Sequence, residues 1–292
     1  MWDRLVSYLT TFWLGAAVLV AALYMVSFVV PKAAFVARAL TGYLCLLIAS
    51  CMGLLICIVF RLFGIAGSSQ WAAGRVFKYA MYLTTGVTFE IIDPHGVLDN
   101  TRPAVVVGNH QTELDVLMLG CMFPRNCTVT AKASLKKIPF LGWFMALSKT
   151  IFIDRGNAKD ARQALKGAGQ EIARRNQSVY VFPEGTRSYS SEPMLLPFKK
   201  GAFHLAVEAG APIVPCVVAN YSHIFSIKGL VFRSGKIPVK VLAPIPTKGL
   251  TSADVEDLAT KTREKMLEEL ITLSAEAKGT VPAAMKVAAA SK

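Results

Sequence analysis

An α/β fold is predicted: a single mixed, partly parallel sheet flanked by helices, preceded by an N-terminal two-helix membrane hairpin. Three observations carry it. Two uncharged apolar runs open the chain, short β-branched runs then alternate with helix-like segments, and polar clusters fall where those runs end.

The first run, residues 5–30 (LVSYLTTFWLGAAVLVAALYMVSFVV), and the second, residues 39–60 (ALTGYLCLLIASCMGLLICIVF), contain no charged residue. About 20 apolar residues cross the hydrocarbon of a bilayer, so each is long enough to span it. Only PKAAFVAR separates them, which favours a hairpin over residues 1–62. A cleaved signal peptide would have a shorter apolar stretch and a small-residue cleavage site. Residues 63–86 read as an interfacial connector on the bilayer surface, with an ordinary first helix of the next domain as the alternative.

From residue 87 to 274 the pattern is that of one α/β domain. Strands are expected at VTFEII (87–92), AVVVG (104–108), CTVTAK (127–132), TIFIDR (150–155), SVYVF (178–182), PIVPCVVA (212–219) and VKVLAPI (239–245). A helix is expected from Asn157, with Asp160 in its first turn and Arg174 and Arg175 in its last, charges that match the helix dipole. Another runs from Lys199 to Ala209 and stops at Gly210, a C-terminal cap. Residues 251–274 form a charged amphipathic helix, and the Ala- and Lys-rich residues 275–292 read as a disordered tail.

Basic residues exceed acidic ones by 13, and only Arg4, Lys32, Arg38 and Asp3 fall in the first 60 positions. A basic domain tethered to a bilayer suits anionic head groups and phosphorylated substrates. Nucleic acid is not expected as a partner, because the basic residues are dispersed and no recognition module is present. The six cysteines include no C-x-x-C pair, so no metal and no disulfide framework is expected.

Polar clusters at three strand ends supply the chemistry: GNHQTELD after the second strand, DRGN after the fourth and PEGTR after the fifth. In α/β sheets ligands gather at such ends. His110 and Asp115 are five residues apart, about 140° around a helix, and could not meet in mid-helix. With His110 in the turn before the helix, Asp115 can fold back to it, fix the ring tautomer and support the imidazolium. No serine nucleophile accompanies this dyad and no G-x-S-x-G elbow is present. It suits direct activation of a substrate hydroxyl.

The blocks NHQTELD, FIDRGN, FPEGTRS and VPCVV, in this order and spacing, resemble those of the glycerolipid acyltransferases, in particular the eukaryotic and fungal 1-acylglycerol-3-phosphate (lysophosphatidate) acyltransferases. The resemblance covers about residues 75 to 245. It implies that His110 is a general base oriented by Asp115, and that Arg155, Glu184, Gly185, Thr186 and Arg187 bind the acyl acceptor. Lys132 is a further, weaker phosphate contact. Arginine suits a phosphomonoester, whereas Glu184 would accept from a hydroxyl or hold an arginine. The implied reaction is transfer from acyl-CoA, a co-substrate, to the sn-2 hydroxyl of lysophosphatidic acid at a phospholipid bilayer, with no bound cofactor. The implied location is the endoplasmic reticulum membrane, domain on the cytosolic side, with the lipid droplet as a second site. Glycerol-3-phosphate or another lysophospholipid is the alternative acceptor, and a non-catalytic phospholipid-binding protein is the alternative class.

Overall fold

The computed structural model describes residues 1–154, 169, 172 and 174–279. Arg155 and, of the helix expected from Asn157, residues 157–168, 170, 171 and 173 lie outside the described residues, as does the tail from residue 280.

Two long helices open the chain, α1 (Trp2–Val26) and α2 (Ala33–Leu62). α1 buries no residue, and outside a half-buried stripe at Ala16, Val20, Leu23 and Tyr24 its apolar surface is exposed. α2 is different. Cys45, Ala49, Gly53 and Cys57 form a row of small residues at four-residue spacing, all buried, which lets α2 lie close against α3 (Ser69–Thr85). Contacts run along the helix, from Arg38 donating to the Thr85 carbonyl at 2.7 Å to Cys45 with Thr84. α3 therefore belongs to the domain, burying Ala73, Phe77 and Met81, while Tyr79, Tyr82 and Leu83 stay exposed.

The sheet has seven strands in the order β1-β9-β6-β2-β5-β3-β4. They are β1 (Val87–Ile92), β2 (Val105–Gly108), β3 (Cys127–Lys132), β4 (Ile151–Ile153), β5 (Ser178–Val181), β6 (Ile213–Val218) and β9 (Gly235–Val241). All neighbours are parallel except β6 and β9. A short antiparallel ribbon, β7 (Phe225–Ser226) with β8 (Val231–Phe232), was not expected, and β9 starts four residues before the expected run.

Both faces of the sheet are covered, as a parallel sheet requires. Val106 points into a core with Phe77, Met81, Leu117 and Met118. Val105 and Val107 point the other way, into a core with Phe203, Leu205, Met266 and Leu270. The first core lies under α3 and α5 (Asp115–Met122), the second under α7 (Gly201–Ala209) and α8 (Val255–Ala277). Gly210 is the left-handed cap of α7, as expected, but α8 continues three residues past the expected end at 274. The described residues also include two short helices, α4 (Val97–Asn100) and α6 (Leu141–Leu147). Because β2 to β6 run the same way, the loops that follow them share one edge of the sheet.

Candidate active site

At that edge the loop after β2 is fastened to the end of β6. Asn109 is buried and acts as a substitute peptide: its amide donates to the Val218 carbonyl at 2.9 Å and its oxygen accepts from the Val218 amide at 2.8 Å. The Gln111 side chain donates to the carbonyls of Val218 and Ala219. His110, between these two anchors, is presented rather than buried by the turn.

The histidine and the aspartate meet. His110 Nδ1 lies 2.7 Å from Asp115 Oδ2, with His110 in the turn and Asp115 the first residue of α5. Asp115 is 1% exposed and accepts from three further donors: the amides of Gln111 (2.6 Å) and Thr112 (3.1 Å) on Oδ2, and the Tyr221 hydroxyl (2.6 Å) on Oδ1. Four donors thus converge on one buried carboxylate. Burial, then the Asp115 charge, raise the Tyr221 phenol well above its ordinary value, so that it stays a donor. A carboxylate acceptor at Nδ1 puts the ring proton there and leaves Nε2 free to accept one. The ring also stacks on Phe182, centroids 4.0 Å apart at 19°, which limits its rotation.

Glu184 takes a place other than the one expected. Its two oxygens accept from backbone amides, His110 at 2.8 Å and Leu196 at 2.9 Å, and it is 3% exposed. Among the described residues it takes no arginine, and it joins the loop after β5 to the histidine turn. Two backbone bonds complete the join, Ser188 to the His110 carbonyl and Tyr189 to the Gln111 carbonyl. Burial pushes the Glu184 carboxyl from 4.5 up to about 7, more than the two amides pull it down. Between those values the folded state holds a proton that the unfolded state releases, so on this group's account stability falls as pH rises through the window. Glu184→Gln, which cannot titrate, is expected to lie furthest below wild type in Tm near pH 4.5, with the gap narrowing towards pH 7. A gap that widens instead would show that the amides, not burial, govern this carboxyl.

Beside the dyad is a cavity of about 440 Å³. His110, Lys132, Thr186 and Arg187 line it at the sheet edge, and Phe77, Leu119, Phe123 and Phe144 are among its apolar walls. Lys132 is the exposed last residue of β3. Gly185, at φ +69°, makes the left-handed turn that separates the buried Glu184 from the exposed Thr186. Arg187 is braced: Nη1 donates to Glu113 Oε1 at 2.8 Å, and the Tyr189 hydroxyl donates to the same oxygen at 2.7 Å. Among the described residues, Arg187 Nε and Glu113 Oε2 are buried and have no partner. Seven of the eight expected site residues therefore gather at one sheet edge, and Arg155 lies outside the described residues.

Glu113, Tyr189, Tyr221 and Phe182 were not singled out in the sequence. Glu113 stands inside NHQTELD, three residues after His110, and that proximity was its one signal. Tyr221 is 106 positions from the aspartate it serves, and nothing local marks it.

Residues 91–219 match the family model described as Acyltransferase. A 1-acyl-sn-glycerol-3-phosphate acyltransferase of Saccharomyces cerevisiae is 43% identical over 218 residues, covering 75% of this chain and 71% of that protein. The human 1-acyl-sn-glycerol-3-phosphate acyltransferase beta is 40% identical over 200 residues, 68% of this chain and 69% of that one. The crystal structure of a 1-acyl-sn-glycerophosphate acyltransferase from Thermotoga maritima shares the fold, with a TM-score of 0.64 at 22% identity over 80% of this chain and 95% of that one.

Proposed function

The chain belongs to the 1-acyl-sn-glycerol-3-phosphate acyltransferases, and from that premise we propose that it transfers an acyl group from acyl-CoA to the sn-2 hydroxyl of lysophosphatidate, giving phosphatidate. The observation that carries this reading is His110, paired with Asp115, on the wall of an apolar cavity.

His110 Nε2 takes the proton of the acceptor hydroxyl while its oxygen attacks the thioester carbonyl. The carbon–sulfur bond then breaks, and the imidazolium returns the proton to the departing thiolate. Asp115 holds the ring and stabilises the imidazolium between those two transfers. The acyl chain lies in the cavity, which is of the size usual for small-molecule sites. Arg187, with Lys132 on the same cavity, receives the acceptor's phosphate, Arg187 Nε being a donor without a partner among the described residues. The Gly185 amide is committed to the Phe182 carbonyl, so the next amides, Thr186 and Arg187, are the candidates for stabilising the oxyanion.

In this reading the hairpin seats the site at lipid. α2 is packed on the domain from Ala37 to Cys57, against α3 and α6, so a fully spanning α2 would draw the domain's loops into hydrocarbon, where unpaired backbone is not tolerated. Immersion of α1 and the outer face of α2 in one leaflet avoids that. It also leaves the sheet edge at the interface, where a lysolipid resides.

The test is acyl transfer by the purified protein with labelled acyl-CoA, offering lysophosphatidate, glycerol-3-phosphate and lysophosphatidylcholine separately. Phosphatidate formed fastest from lysophosphatidate is the expected result. Equal or faster use of another acceptor overturns the substrate assignment, and no transfer to any of them leaves only a lipid-binding protein.

A further inference from the structure

The segment between β3 and β4 is apolar on two sides at once. α6 reads LGWFMAL and carries no charged residue. Its inner residues Leu141, Phe144 and Met145, with Leu135 before them, wall the cavity that His110 lines. The outer residues face away: Ile138 is 43% exposed, Phe140 40%, Trp143 53% and Leu147 41%. A helix apolar all round belongs in a core or in lipid, and among the described residues nothing covers this outer side.

Two features indicate what covers it. The surface continues that of the hairpin, because Phe144 packs on Gly53 of α2 so closely that a Cβ there would come within 2.6 Å of the ring. Lys136 and Lys137, both exposed, end the 3-10 turn just before Ile138, and Lys136 Nζ lies 5.9 Å over the Phe152 ring. Lysines at the rim of an apolar patch lay their stems along it and raise their ammonium groups to anionic head groups.

We infer that residues 136–147 are a third bilayer contact: Ile138, Phe140, Trp143 and Leu147 enter the acyl region of the leaflet beside α2, and Lys136 and Lys137 meet anionic head groups. The inference rests on the seating of the hairpin proposed above. It makes α6 the partition between lipid on one side and the acyl cavity on the other.

Two full-length proteins that keep a single tryptophan, at position 13 in α1 or at position 143, test it in vesicles of phosphatidylcholine and phosphatidic acid. Brominated acyl chains are expected to quench both, and aqueous iodide neither. Trp13 quenched by lipid with Trp143 quenched only by iodide overturns the inference and leaves the hairpin in place. Neither quenched by lipid overturns both. In the otherwise native chain, Trp143→Glu is expected to lower transfer to bilayer-held lysophosphatidate about tenfold, through apolar area lost from the contact, and to leave transfer to a short-chain, water-soluble acceptor unchanged. An equal loss on both acceptors, or none on either, counts against the contact.

Discussion

Replacing His110 by alanine is expected to lower kcat at least about 10²-fold, the loss that accompanies removal of a general base. The substitution removes Nε2, the nitrogen that Asp115 leaves unprotonated, and little else. The backbone bonds of residue 110 to Glu184 and Ser188 do not involve the ring, and the side chain is only one of the four donors to Asp115. Tm should therefore stay close to wild type while turnover collapses. Initial rates and thermal unfolding on the same preparation separate the two effects, and a variant that keeps wild-type turnover removes His110 from the chemistry.

Asp115→Ala is expected to damage both. Without the carboxylate the histidine loses the acceptor that fixes its tautomer, which by analogy with the serine-hydrolase aspartate lowers kcat on the order of 10³-fold or more. The same change strands two backbone amides and the Tyr221 hydroxyl in a buried site, at about 3 kcal/mol or more. For a domain of this size that is a fall in Tm of roughly 10 °C. Asp115→Asn preserves the shape and should recover part of the stability but not the rate, since a neutral amide stabilises an imidazolium poorly. Recovery of the rate would mean that the aspartate works by packing alone.

The α/β class and the sheet edge were legible because they rest on local pattern. Short runs such as VVVG and SVYV have the β-branched composition of buried strands, and the loops after them concentrate polar residues. β9 was misplaced because Gly235 and Pro238 interrupt its β-branched pattern, although Ala219 still donates to the Pro238 carbonyl. The ribbon of β7 and β8 has two residues per strand, too few for any periodicity to show.

The dyad was legible for a similar reason: five positions and a turn fix its geometry. The parts that make it rigid are long-range. Glu184 reaches His110 across 74 positions, Asn109 reaches Val218 across 109, and Glu113 reaches Arg187 across 74. The type of Glu184 was visible but its use was not, because an acid in a polar loop gives no sign that both oxygens will be taken by backbone amides. Likewise α2 reads as a uniform apolar helix until α3 is packed on its row of small residues.

The central claim is that His110 acts on the acceptor hydroxyl and that the acyl group passes directly from donor to acceptor. The mass of the intact protein after exposure to acyl-CoA without lysophosphatidate tests this most directly. An unmodified chain, competent to form phosphatidate once the acceptor is added, is the predicted result. A chain heavier by one acyl group, discharged on adding the acceptor, would contradict the account and make a protein side chain the nucleophile.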